Sequence, residues 1–392
     1  MGGQSERPSR SVALASLRFG LTNALMLVFI VALIAGGGFI ALALALAVLI
    51  GTVGDEICGD DNDRQAVTPH WLYDANLYAT LPLMIVMTGL YAHYLTAADP
   101  VGMIAMLSSW GISFAAAPAF SKAGPLLAAT LGVGVFYGFA AITVGHELFH
   151  RSNDAVARAV SHMLLAFTFE TSSPLYHMQM HHRDAGTFRD PSTARRRETV
   201  YAFAWRLILG SLRGAFSAEA RRLRRQGDSV WSWRNRSLRG ELCSIAVVAA
   251  VGSIAGIRGI AGFVAAAAVG KMLLVTISYA QHYGLVRVEG TPFAAHHAWD
   301  CHRFVSNALL YNLPQHSDHH QHGGKTYCQL AASDAPRLPY GYQTMSLIAL
   351  APRLWCRVMD PLLADWDRRF ASEAERSLVH ERGWEIVPTG QD

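Results

Sequence analysis

Residues 125–150 read PLLAATLGVGVFYGFAAITVGHELFH. The stretch is uncharged until its last turns and runs without a break into His146 and His150, with Glu147 between them. An apolar run of about 20 residues is what a helix needs to cross the hydrocarbon of a bilayer. Residues four apart share a helix face, so the run ends by presenting two imidazoles on one side. A membrane span that delivers paired histidines to its own end sets the terms for the rest of the chain.

Outward from this segment the pattern repeats. Leu21 to Gly54 is apolar and uncharged, interrupted by Gly36, Gly37 and Gly38, and too long for one perpendicular helix, so it predicts a tight helical hairpin. Another span is expected over Leu77 to Leu95, and two more over Cys243 to Ala255 and Ile260 to Tyr279, joined by a short turn around Arg258 and ending just before His282. Val101 to Phe120 is apolar but holds Pro118 and several polar residues, and is expected to lie at the interface or re-enter. The expectation is an all-α integral membrane protein with about six transmembrane helices. Half of the 392 residues are hydrophobic and only 16% are charged, which fits that class. No linker, repeat or low-complexity tract divides the chain, so residues 1–392 are expected to form a single domain.

Charge sets the sidedness. The segment from Arg151 to Arg239 holds sixteen arginines against seven acids, and so basic a loop is expected to stay in the cytoplasm. With six spans, the tail of residues 1–20, the loop of 151–240 and the region 282–392 all fall on that side of a bacterial-type inner membrane. The tail, with Arg7, Arg10 and Arg18, lacks the small-residue cleavage site of a signal peptide. Within the loop, Glu198 to Arg225 has the mixed apolar and basic spacing of amphipathic helices on a membrane surface. Its arginines predict a lipid-headgroup face or a dock for an acidic redox partner; nucleic acid is not an expected partner.

Seventeen histidines are many for this length, and they cluster. His146 and His150 close the fourth span, while His177, His181 and His182 lie in the basic loop. His282 ends the sixth span, and His316, His319 and His320 follow it. Spacing allows His146 with His150, His177 with His181, and His316 with His319 and His320 each to point at one centre. His182, about 100° from His181, suits a second, neighbouring metal. One tetrahedral zinc cannot use nine imidazoles, whereas two metals with four or five ligands each consume them all. Nitrogen donors suit iron(II), which binds and reduces O2 and so gains the power to attack an unactivated C–H bond. Glu147, Asp184, Asp190 and Asp318 lie near enough in sequence to receive the outer N–H of a bound histidine, with Asp190 and Asp318 preferred. His70, His93, His162, His296, His297, His302, His322 and His380 lack the arrangement and are expected to be structural or exposed. Lys271, inside the sixth span, is left without a role. The cysteines Cys58, Cys243, Cys301, Cys328 and Cys356 form no Cys-x-x-Cys pair, which excludes an iron–sulfur module in this chain, so electrons come from another protein.

At these residues the sequence resembles the membrane di-iron hydroxylases, a group that includes the alkane monooxygenases and the xylene monooxygenase hydroxylases and is distantly related to the fatty-acid desaturases. The stretch His181 through Asp190-Pro191-Ser192-Thr193-Ala194-Arg195 and the closing His316-Ser317-Asp318-His319-His320 are similar to the alkane enzymes. Gln281-His282-Tyr283-Gly284, His296-His297-Ala298-Trp299 and Asp365-Trp366-Asp367 are closer to the xylene type. The resemblance implies a six-span fold, a cytoplasm-facing site with two non-haem irons, and nine ligands falling on His146, His150, His177, His181, His182, His282, His316, His319 and His320. It also implies hydroxylation of a terminal or benzylic methyl group of an alkane or alkyl-aromatic with O2, fed by a rubredoxin or ferredoxin and an NAD(P)H-dependent reductase. Two other readings remain open. A desaturase or lipid hydroxylase would use the same metals, although desaturases typically place two residues, not the three seen after His177, before the His-His pair. A membrane zinc metallopeptidase would use only His146, Glu147 as general base, His150 and one further ligand.

Overall fold

The computed structural model describes residues 16–61, 71–96, 98–114 and 123–385. Most of the expected N-terminal tail, His70, and the end of the Val101 to Phe120 segment lie outside them. Helix α1 (Leu21–Ala35) and helix α2 (Gly38–Cys58) form the expected hairpin. They meet at Gly36 and Gly37, whose φ angles of 71° and 58° are open to glycine without strain. Helix α3 (Trp71–Tyr94) packs on α1 through polar contacts: Asn23 Nδ2 donates to Asn76 O at 2.7 Å, and Thr80 Oγ1 donates to Asn23 Oδ1 at 3.0 Å. In a bilayer such bonds between helices act where apolar burial supplies no preference. The described part of the next segment holds only a short helix, Met103–Ser109, about 10 Å long and unable to cross.

Helix α4 (Ala123–His150) carries the decisive stretch and widens to a π-helical turn over Tyr137–Ile142. Helix α5 (Ala155–Ala166) follows, capped by Asp154, whose carboxylate accepts from the Val156 and Ala157 N–H groups. It runs back along α4: Ser161 Oγ donates to Gly145 O at 2.7 Å, and Phe167 packs on Tyr137 with ring centroids 5.4 Å apart. Tyr137 lies thirteen residues, or ~20 Å, from His150. Residues 151–240, expected to be a cytoplasmic loop, thus begin with an apolar portion that packs back along α4 before the chain returns to His177. Helix α6 (Val200–Arg225) is the expected amphipathic element, burying Phe203 and Leu207 and exposing Trp205 and Arg225.

Helix α7 (Arg236–His282) is two helical legs joined at Gly256, whose φ of 57° and ψ of −146° are not helical. A Cβ on Gly259 would stand 2.9 Å from Val251 O, whereas eight residues of straight helix span ~12 Å. The chain therefore doubles back, and its legs, 236–255 and 257–282, are the two expected spans, with the turn at Gly256 rather than around Arg258. Among the described residues five helices have the length and apolarity to cross a membrane, and the longest of them is this hairpin. The second leg lies against α4 at closest approach. A Cβ on Gly134 would meet Ala266 O at 2.7 Å, and one on Gly138 would meet Gly270 O at 3.2 Å. Gly134 and Gly138, four apart, let the two backbones touch.

Beyond His282 the chain forms a cap. Helix α8 (His316–Gln321) carries the last histidines, and α9 (Pro352–Arg369) and α10 (Glu373–Glu381) close the end. Asp55, buried at the end of α2, accepts the Ser306 N–H at 2.8 Å, and the buried Arg196 guanidinium grips Asp367 of α9 with two bonds of 2.6 and 2.7 Å. A continuous apolar core runs from Phe19 to Val379, so the cap and the membrane bundle share one interior.

Candidate metal centre

The histidines assemble from four places in the chain. His146 and His150 come from the end of α4, His177 and His181 from a π-helical turn (His177–His181), His282 from the end of α7, and His316, His319 and His320 from α8. Two sets of four have all their ligand atoms within 4.8 Å of one another: His146, His150, His177 and His319, and His181, His282, His316 and His320. His182 stands between them. Its Nε2 is 2.9 Å from His177 Nε2, in the first set, and its ring lies 4.5 Å from that of His320, in the second.

The pairing differs from the one expected. His146 with His150 share a set, as do His316 with His320, but His177 and His181 part company, and His319 leaves its helix partners for the first set. Two centres side by side explain it, since neighbours ~6 Å apart along an axis reach adjacent ions as easily as one. Spacing fixes which side of a helix a residue occupies, not which of two centres lies opposite.

The distances suit metal binding. His146 Nε2 lies 3.1 Å from His177 Nε2, and His316 Nε2 lies 3.1 Å from both His282 Nε2 and His320 Nε2. Metal–nitrogen bonds of ~2.1 Å place ligands at right angles ~3.0 Å apart. His150 Nδ1 and Nε2 and His319 Nε2 are buried with no hydrogen-bond partner among the described residues, a costly state unless something is bound there. Burial first, and then the crowding of neighbouring imidazoles, drives His177, His316, His319 and His320 well below the usual histidine range. They are therefore neutral at pH 7 and offer lone pairs, the form that binds a metal.

Outer contacts orient the rings. His181 Nδ1 donates to Asp190 Oδ2 at 2.9 Å, and Asp190 also accepts from the Tyr176 hydroxyl, the Thr193 hydroxyl at 2.8 Å and the Ser192 N–H at 3.1 Å. Burial alone would raise the Asp190 carboxyl, but the His181 ring and these bonds hold it down to about 2. His282 Nδ1 donates to His297 O at 2.9 Å, while the His297 ring reaches Glu375 of α10 at 2.6 Å. Asp300, fully buried, accepts the Ser317 N–H at 2.8 Å and its hydroxyl at 2.6 Å, fixing the first turn of α8. Sequence reasoning missed His297 and Asp300; their one signal was proximity, in His296-His297-Ala298-Trp299-Asp300, to a histidine-rich segment. Three expected outer residues do other work. Asp318 pairs with Lys325 at 2.8 Å and His322 at 2.7 Å, pinning the turn after α8. Glu147 pairs with Arg151 at 3.2 Å, and Asp184 with Arg183 at 2.6 Å. None of these partners is among the nine histidines.

Comparison with known proteins follows the same lines. Residues 121–347 match the family described as Fatty acid desaturase. The chain is 33% identical over 247 residues to Alkane 1-monooxygenase of Pseudomonas putida, covering 62% of this chain and 61% of that relative. It is 31% identical over 337 residues to Alkane 1-monooxygenase 1 of Pseudomonas aeruginosa, covering 82% and 83% of the two chains. It is 28% identical over 338 residues to the Xylene/toluene monooxygenase hydroxylase component XylM of Pseudomonas putida, covering 85% and 86%. Against the first of these the match spans less than two thirds of the relative's length.

Proposed function

The chain belongs to the fatty acid desaturase family, and from that premise we propose that it is a membrane monooxygenase converting a terminal or benzylic methyl group of a hydrophobic substrate to a primary alcohol at two non-haem irons. The observation that carries the reading is the meeting of two four-histidine sets across His182. The reaction balances as R–CH3 + O2 + 2 electrons + 2 protons giving R–CH2OH + H2O. The electrons come from a reduced rubredoxin or ferredoxin, recharged by an NAD(P)H-dependent reductase.

His146, His150, His177 and His319 would hold one iron and His181, His282, His316 and His320 the other, with His182 between them. Bound iron would supply the binding and reduction of O2. Asp190 fixes His181 with Nε2 free, and the His297 carbonyl does the same for His282. Phe149 and Phe293 pack on histidine rings at 4.9 and 4.7 Å, keeping water from the face where a C–H bond must compete for the oxidant.

The site is taken to face the cytoplasm of a bacterial-type inner membrane, with the whole chain one domain. Relatives named as monooxygenases favour hydroxylation over the desaturase or lipid hydroxylase reading. The pairing of Glu147 with Arg151 leaves a zinc peptidase without its general base. Cells expressing the chain with a redox partner should convert octane or xylene to the primary alcohol, and the purified protein should hold about two irons. One zinc and no alcohol would overturn the proposal; alkenes or internal alcohols would install the desaturase reading.

A further inference from the structure

A narrow cavity of about 80 Å3 opens beside the first histidine set, with His146 and His177 in its wall. One side is a single face of α7: Lys271, Leu274, Val275 and Ser278, spaced i, i+3, i+4 and i+7. Lys271 also fixes how far the cavity runs. It follows Gly270, which packs against Gly138 of α4, and Gly138 is eight residues, or ~12 Å, from His146. The end away from the histidines is charged. Lys271 Nζ pairs with Glu170 Oε1 at 2.7 Å and donates to Phe169 O at 3.3 Å, and the other Glu170 oxygen accepts from the Ser173 hydroxyl.

A bare hydrocarbon has no use for this arrangement. A partly buried ion pair at best roughly offsets its desolvation, and ionisable residues in spans are costly, facing cavities where they serve a function. An ammonium carries three N–H donors, and Glu170 and Phe169 take two. Among the described residues no other group takes the third, which leaves it for an acceptor in the cavity. Because Glu170 already balances the charge, an uncharged oxygen fits better than a carboxylate.

We propose that Lys271, held by Glu170, anchors the substrate, and that the substrate is an amphiphile: an apolar chain or ring bearing one neutral oxygen acceptor, a hydroxyl or carbonyl, on the order of 10 Å from the methyl group that is oxidised. This rests on the hydroxylase reading above, which places the reacting end at the histidines. The reaction keeps the balance already given, and octan-1-ol would yield the 1,8-diol.

Octan-1-ol and nonane have the same number of heavy atoms, and supplying both at equal concentration in the membrane, with the redox partner, gives a product ratio of diol to nonanol that reports relative specificity. The wild-type chain should favour the diol severalfold. Lys271→Met should lower the ratio about tenfold or more, the scale of one lost charge-assisted hydrogen bond. Poor folding of the variant would depress both products alike, so the ratio reads the folded fraction alone. A wild-type ratio at or below one, or an unchanged ratio in Lys271→Met, would overturn the anchor while leaving the hydroxylase reading in place. If the wild type oxidised neither compound, nor octane, nor xylene, both readings would fall together.

Discussion

Asp190→Asn should weaken iron binding by about ten- to a hundredfold, the usual cost of altering an outer partner of a metal-bound histidine. The carboxylate is 1% exposed and accepts four hydrogen bonds, two of them from N–H groups that cannot reverse direction: the His181 ring and the Ser192 backbone. An amide has one acceptor oxygen. Turned toward Tyr176 and Ser192, it sets its NH2 against the His181 N–H and leaves the ring unheld. Turned the other way, it sets its NH2 against the Ser192 N–H and offers His181 a neutral acceptor, roughly half as strong as a charged one. The first arrangement strands the buried His181 N–H at a cost of about 1–3 kcal/mol, comparable to the ~1.4–2.7 kcal/mol that ten- to a hundredfold in affinity represents. The second leaves the Ser192 N–H on the Tyr176 hydroxyl oxygen, 3.1 Å away, and only weakens the hold on His181. Iron per chain, measured across a chelator titration, reads the effect directly, and unchanged helical circular dichroism excludes unfolding. Iron affinity within twofold of wild type would refute the claim that Asp190 sets the donor strength of His181.

Ala in place of His146, His181, His282 or His319 should abolish alcohol formation and lower bound iron, whereas His380→Ala should do neither; full activity in His282→Ala would remove that residue from the site. The purified chain with NADH alone should be inactive and should turn over on adding a rubredoxin or ferredoxin with its reductase, more weakly as salt screens the basic surface. Gly134→Val should destabilise the bundle by about 1–3 kcal/mol, because the new side chain would drive into Val269 and the Ala266 carbonyl; a thermal melt in detergent that matches wild type would contradict this. Glu219, buried between Arg222 and Arg236, would be raised by desolvation, but the arginine hydrogen bonds hold it down to about 2. Its folded value lies below the ordinary ~4.3, so its contribution is complete above that pH and is lost as pH falls toward 2. Wild type should therefore lose more melting temperature than Glu219→Gln between pH 5 and 3.

The parts legible in the sequence were those governed by local rules. Apolar length marked the spans, Gly36 and Gly37 marked a hairpin because only glycine is at ease there, and histidine spacing marked the site. Three things depended on distant contacts. The sorting of His177 from His181 is set by two centres built from four separate segments. The choice of Asp190 over Asp318 turns on Lys325, which draws Asp318 into its own turn. The return of α5 into the bundle was hidden because its apolar stretch is only twelve residues long and arginine dominates the surrounding loop.

The two histidine sets also impose an order on how the protein matures. One set closes with His319 and the other with His320, although the first ligand is made at His146. When synthesis has reached Gln315, one set has three members and the other two, and the Asp300 clamp has no α8 to seat. No chain that stops short of His319 can complete either set. If the sets hold the proposed irons, loading is a late event that awaits α8, and the unfinished protein would carry no reactive centre exposed to oxygen.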